Sequence, residues 1–286
     1  MGLVIGEIAY TNIMPFFYYL DRVKLQQLGC SFIHKVPASL NQGMQKGVID
    51  VGGISSFAYA QNATKYTLLP NLSVSAKNAV GSIFLFSKKP IEALNGASVA
   101  LTNTSATSVN LLKILFHHFY RYEVTYETME PSFETMMAHH DACLLIGDDA
   151  IVNGWKNKDK YYQYDLGELW KKFTGLSMTF AVFAVRNEVL EKEKEALQYL
   201  YQQFVESKKR CIENHFEEMI FDIQKRLGGS FSFWQQYFHG LNFALGDYEL
   251  KGLKHYYNLA YEYGLLEYQV KTIALWDDVP MTHSIE

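Results

Sequence analysis

The chain has 286 residues, 49% hydrophobic and 20% charged, with a net charge of −4. That length suits one large or two medium domains of about 100–200 residues, and the balance is that of a globular chain with a real core. No clustered basic face for nucleic acid is present, and no apolar run nears the ~18 residues that span a bilayer, so neither a nucleic-acid nor a membrane partner is expected.

The first basic residue is Arg22, so no basic segment precedes the apolar start and a cytoplasmic location is expected. Residues 3–6 form a short strand, and Asn12-Ile13-Met14-Pro15 then turns into an apolar helix. Residues 31–36 form a second strand, and Pro37 opens a helix that ends at Gly47. Residues 48–54 form a third strand, with Ser55-Ser56 as the following helix cap. Strands follow at 81–87, 98–102, 142–148 and 179–185, with an amphipathic helix through Leu111, Leu112, Leu115 and Phe116. Strands that alternate with helices imply βαβ units and a mostly parallel sheet.

After Arg186 the texture is helical. Leu197, Leu200, Tyr201, Phe204 and Val205 recur at helical spacing, and the stripe continues through Ile212 and Phe216 to Leu227 before Gly228-Gly229. A last helix uses Leu250, Leu253, Tyr257 and Ala260 and stops at Gly264. The expectation is an α/β chain of two lobes with a helical C-terminal region. Lobe one takes residues 1–87 and 181–286, and lobe two takes residues 88–180. Two crossings make a hinge, and the cleft between lobes is the natural ligand site.

Several strand ends carry small hydroxyl residues: Ser55-Ser56, Ser82, and Thr107-Ser108 within the run 104–108. Helix N-termini there bring backbone donors and a partial positive dipole, which suit carboxylates. Each Ser or Thr alone is equally an ordinary cap. Asn12 either caps its helix or presents an amide to the cleft. Gly147-Asp148 ends a strand, where the aspartate either caps the next segment or bonds a ligand hydroxyl. Nucleophile elbows, phosphate loops and zinc-protease motifs are absent. His117-His118 and His139-His140 are adjacent pairs whose rings diverge, so no metal site is read from them. Cys30, Cys143 and Cys211 are too scattered for metal spacing or a disulfide framework and are expected as buried thiols.

The order of motifs along the chain resembles a known family. Ile8-Ala9-Tyr10-Thr11-Asn12-Ile13-Met14-Pro15 is similar to its N-terminal block. Pro37-Ala38-Ser39-Leu40-Asn41, Gly47 to Val51, and Ile54-Ser55-Ser56 resemble its second block. Leu69 to Val74, Gly81-Ser82, Ser105 to Val109, Leu144 to Asp148, Asp165-Leu166-Gly167 and Thr174-Gly175-Leu176 follow in the same order, and Leu245-Gly246, Gly252-Leu253 and Gly264-Leu265 close the match. The family is chorismate dehydratase of the futalosine route to menaquinone. The resemblance implies a type-2 periplasmic-binding-protein-like fold. It also implies elimination of water from chorismate to give 3-[(1-carboxyvinyl)oxy]benzoate, with no redox cofactor and no metal. It places the functional Asn on Asn12 and the cleft Ser on Ser82, with carboxylate-binding positions at Ser55, Ser56, Thr107 and Ser108, and Gly147 and Asp148 beside them. Ala9 stands where the family usually has serine, and Ser177 and Phe183 where it often has proline and tryptophan. The naphthoate synthase of the same pathway shares the fold, but its serine-proline-cysteine-proline-asparagine motif is missing here. The alternative to an enzyme is a cytoplasmic binding protein or sensor for a small carboxylate.

Overall fold

The structure is a computed structural model and describes residues 2–278. Its strands build two sheets. The first holds β1 (Val4–Ile8), β2 (Ser31–Lys35), β3 (Val51–Ser55), β4 (Tyr66–Ala76), β10 (Met178–Arg186) and β11 (Leu241–Asn242), in the order β11-β4-β10-β3-β1-β2. The second holds β5 (Ile83–Ser87), β6 (Ser98–Thr102), β7 (Thr125–Met129), β8 (Ala142–Ile146) and β9 (Tyr162–Asp165), in the order β7-β6-β8-β5-β9. β3 and β8 are buried at every residue, and β10 at all but its last. Helices therefore cover both faces, and these strands read as continuous apolar runs rather than alternating ones.

The two sheets share one plan. β2, β1 and β3 run parallel, and β10 is inserted antiparallel between β3 and β4. Likewise β7, β6 and β8 run parallel, and β5 is inserted antiparallel between β8 and β9. In each sheet the inserted strand is the one that arrives from the other lobe.

This corrects the expected crossings. Residues 83–87 belong to the second sheet, because β5 exchanges its backbone hydrogen bonds with β8 and β9. The first crossing thus lies in residues 77–82 and not after residue 87. The second lies just ahead of Met178, where β10 begins, and not at residue 181.

The helices are α1 (Met14–Phe17), α2 (Arg22–Gln27), α3 (Pro37–Gln45), α4 (Ser56–Gln61), α5 (Ala106–Ile114), α6 (Phe133–His139), α7 (Gly147–Lys156), α8 (Leu166–Thr174), α9 (Lys194–Glu213), α10 (Glu217–Leu227), α11 (Phe231–Gly240) and α12 (Asp247–Glu262). The apolar stripe from Leu197 to Leu227 is not one helix. It breaks at His215 and Phe216, whose φ angles are 52° and 61°. The left-handed pair turns the chain so that Phe216, 2% exposed, stacks on Phe238 of α11.

One hydrophobic cluster runs through both lobes, from Ile5 of the first sheet to Leu144 of the second. A smaller one, around Phe86, Phe133 and Leu145, fills the space under α6. Cys30, Cys143 and Cys211 are buried and free, as expected from their scatter. Among the described residues no helix is long and apolar enough to cross a membrane.

Candidate active site

Four helices begin at one cavity between the sheets: α3 at Pro37, α4 after Ser55, α5 after Ser105, and α7 at Gly147, all of which line it. Ser55 Oγ accepts from the Ala58 N–H at 3.1 Å, and Ser105 Oγ from the Ser108 N–H at 3.2 Å. These serines are therefore ordinary caps and cavity wall at once. α3 and α7 begin without a side-chain cap. Each helix start carries a partial positive charge from its dipole. Among the described residues no Lys, Arg, His, Asp or Glu lines the cavity, whose remaining walls are Ile8, Tyr10, Asn12, Ile83, Ser108, Ile146, Phe180 and Ala181. Such an arrangement of dipoles and neutral donors, without cationic side chains, suits an anion.

Asn12 sits on a single 3-10 turn, Thr11–Ile13, directly after β1. It caps no helix: α1 has Ile13 at its cap position and no side-chain cap bond. Its Oδ1 is buried and bonds nothing. Ser82 lies behind the wall formed by Ile83 and Gly147. Its carbonyl accepts from the Gly147 N–H at 2.7 Å, while its Oγ is buried without a partner.

Other expected positions have a different use. Ser56 Oγ donates to the Thr179 carbonyl at 2.8 Å, and Thr107 Oγ1 to the Phe180 carbonyl at 3.2 Å. Their two oxygens lie 3.2 Å apart, and Thr107 Oγ1 also accepts from the Phe57 N–H at 3.1 Å. Ser56 and Thr107 thus seam lobe one to lobe two and do not line the cavity. Asp148 is similarly occupied. Its Oδ1 accepts from the Thr11 N–H at 3.0 Å and from Thr11 Oγ1 at 2.6 Å, and its Oδ2 lies 3.3 Å from Arg226 Nη2. It latches lobe two onto the turn that carries Asn12. Of the expected positions, Asn12, Ser55, Ser108 and Gly147 come together on the cavity. Reasoning from hydroxyl residues overlooked the apolar walls, chief among them Tyr10 and Phe180. No sequence signal links Tyr10 to the cavity; in the structure its ring packs against Gly147, where, at φ 62°, a Cβ would stand 2.6 Å from it.

The loop before Ser82 is held from below. Asp165 Oδ1 accepts from the Val80 and Glu168 N–H groups, both at 3.0 Å, and its Oδ2 from the Gly81 N–H at 2.6 Å. Burial pushes the Asp165 carboxyl up, and these backbone donors oppose that shift. Asp165→Ala is expected to cost about 3 kcal/mol, since each buried donor left unmade costs roughly 1–3 kcal/mol. Urea unfolding checks this, and a loss under about 1 kcal/mol would show that water or another acceptor replaces the carboxylate.

The cavity measures about 40 Å³. A water needs roughly 10–15 Å³ by the same measure, so the space holds a few waters and nothing larger. The lobes are closed on each other.

A family model described as menaquinone biosynthesis matches residues 3–262. The chain belongs to the menaquinone biosynthesis family. Among its relatives, a chorismate dehydratase of Thermus thermophilus is 34% identical over 199 residues, 65% of this chain and 70% of that one. A chorismate dehydratase of Campylobacter jejuni is 28% identical over 195 residues, 67% of this chain and 71% of that one. Solved structures show the fold. Protein AF1704 of Archaeoglobus fulgidus matches with a TM-score of 0.73 at 20% identity, over 93% of this chain and 98% of that one. The alkanesulfonate-binding protein SsuA of Xanthomonas axonopodis, bound to MOPS, matches with a TM-score of 0.68 at 14% identity, over 96% and 98%. This member of the family therefore has the two-lobed periplasmic-binding-protein fold that its motifs implied.

Proposed function

We propose that the protein is a chorismate dehydratase. It removes water from chorismate to form 3-[(1-carboxyvinyl)oxy]benzoate in the futalosine route to menaquinone, and it acts in the cytoplasm. The observation that carries this reading is the convergence of four helix N-termini on a cavity that, among the described residues, has no charged side chain and holds the unpaired Asn12 Oδ1. Chorismate brings two carboxylates and a ring hydroxyl. Dipoles and hydroxyls suit the carboxylates, and Asn12 is the free polar group for the hydroxyl. The two relatives with that printed activity support the same substrate.

In the proposed reaction the ring C3–H and C4–O bonds break. The C3 electron pair becomes the new ring double bond, and hydroxide plus the proton leave as water. Aromatisation supplies the driving force, so the site has to orient the substrate and exclude solvent. Among the described residues no carboxylate or imidazole lines the closed cavity, which favours the substrate's own enolpyruvyl carboxylate as the base for the C3 proton. Asn12 holds the departing hydroxyl, with either end of its amide available by rotation. The closed cavity is too small for chorismate, so the lobes part to admit it and close again.

Adding the protein to chorismate should abolish the absorption of its cyclohexadiene ring, with or without a chelator. Retention of that absorption at high protein concentration would reject the reading.

A further inference from the structure

Two neighbouring tyrosines of α12 reach the two lobes separately. Successive residues on a helix point about 100° apart, so Tyr256 and Tyr257 meet different partners. Tyr256 Oη donates to the Thr107 carbonyl at 3.0 Å, in the first turn of α5 in lobe two. Tyr257 Oη donates to the Ser56 carbonyl at 2.7 Å, at the first residue of α4 in lobe one. Both side chains are buried, and burial keeps both phenols protonated and therefore able to donate.

Thr107 is held by three elements of lobe one. Besides the bond from α12, its Oγ1 donates to the Phe180 carbonyl of β10 at 3.2 Å and accepts from the Phe57 N–H of α4 at 3.1 Å, and all three bonds are buried. α12 also lies on the second crossing between the lobes. Gly252 packs so closely there that a Cβ would stand 2.1 Å from the Ser177 carbonyl oxygen, and Ser177 Oγ donates to the Tyr248 carbonyl at 3.3 Å. The crossing therefore passes against the helix that ties the starts of α4 and α5 together.

The bonds of Thr11 with Asp148 are of another kind. They are only part-buried, and Arg226 beside the same carboxylate is exposed. Tyr10 Oη reaches Thr104 Oγ1 at 3.4 Å, and Thr104 keeps Thr102 as a partner without it. Water can take over such bonds as they open, whereas a buried group left unmade bears its full desolvation cost. Among these hydrogen bonds, those of Thr11 therefore break at lower cost than those of Thr107. The cavity touches both sets: Ser55 and Ser108 are the sequence neighbours of Ser56 and Thr107, and Asn12 and Gly147 those of Thr11 and Asp148.

We propose that α12 is the pivot of the cleft: Tyr256 and Tyr257 keep the starts of α4 and α5 joined while the lobes part on the Thr11–Asp148 side. The wall that carries Ser55 and Ser108 then stays assembled in the open protein, and closure returns Gly147 of lobe two to the turn of Asn12. The inference rests on the reading that the lobes part to admit a ligand, and not on which ligand that is.

Hydrogen exchange of the free protein tests it without substrate. Two amides report the two sides: Phe57 N–H, bonded to Thr107 Oγ1, and Thr11 N–H, bonded to Asp148 Oδ1. Phe57 should exchange only as fast as global unfolding allows. Thr11 should exchange through a partial opening, roughly 10-fold or more faster after correction for intrinsic rates. Tyr256→Phe keeps the ring and removes the hydroxyl. It should speed Phe57 exchange by roughly 2–10-fold, the worth of one hydrogen bond, and leave Thr11 exchange unchanged, because the partial opening does not break that bond. Equal protection of the two amides in the wild-type protein would mean that no partial opening occurs and would overturn the proposal. Equal acceleration of both in Tyr256→Phe would overturn it too, since the pivot bond would then break as the lobes part, as would unchanged Phe57 exchange in that variant. A protein that leaves chorismate intact fails the dehydratase reading without altering either exchange result.

Discussion

Asn12→Ala is expected to lower kcat on chorismate by about 10²–10³, the usual cost of removing one preorganised donor from a reacting oxygen. Its melting temperature should stay close to wild type. The reason is specific: Asn12 Oδ1 bonds nothing in the free protein, and the side chain caps no helix. Truncation therefore breaks no hydrogen bond of that oxygen in the free fold. The turn itself is held by its neighbour, since the Thr11 N–H and hydroxyl both bind Asp148. A variant with full activity and a clearly lower melting temperature would make Asn12 a structural residue and remove it from the mechanism.

Gly147→Ala should be nearly as damaging by a different route. Gly147 has φ 62°, a conformation that costs a residue with Cβ roughly 1–2 kcal/mol. The added Cβ would also stand 2.6 Å from Tyr10 Cδ1 and 2.7 Å from its Cγ. Gly147 starts α7 in lobe two, and Tyr10 follows β1 in lobe one. The clash is across the cleft, so parting the lobes relieves it. Asp148, the next residue, is the latch to Thr11 and would be carried away with it. A shift of about 1 Å between substrate-holding groups can cost on the order of 10²-fold in rate. The expected outcome is a kcat/KM loss of that order, with a larger radius of gyration by small-angle scattering. A variant that keeps wild-type kinetics and dimensions would show that the lobes do not close through this contact.

Much of the fold was legible in the sequence, for a physical reason. Strands covered on both faces need continuous apolar sequence, and such runs are easy to see: residues 98–102 form β6 with the bounds expected. β4 escaped because Pro70 argues against a strand. The strand survives by a bulge. Asn71 takes φ 58°, and the register against β10 shifts between Val182 and Ala184. β7 and β9 escaped because they are edge strands of mixed polar sequence, Thr125-Tyr126-Glu127-Thr128-Met129 and Tyr162-Gln163-Tyr164-Asp165.

The site was legible in part. Hydroxyls at helix starts announce themselves, but neighbours in sequence point to different places. Ser55 lines the cavity while Ser56 bonds the Thr179 carbonyl. Ser108 lines it while Thr107 bonds the Phe180 carbonyl. The carbonyls of β10 take up Ser56 and Thr107, and their neighbours Ser55 and Ser108 are left on the cavity.

The most direct measurement is mass spectrometry of chorismate after incubation with the pure protein in the presence of a chelator. The expected result is a stable aromatic product one water lighter than chorismate, formed catalytically and lost in Asn12→Ala. Tight binding of chorismate with no change in its mass would contradict the dehydratase and leave a carrier or sensor. No binding at all would contradict chorismate as the ligand of this cleft.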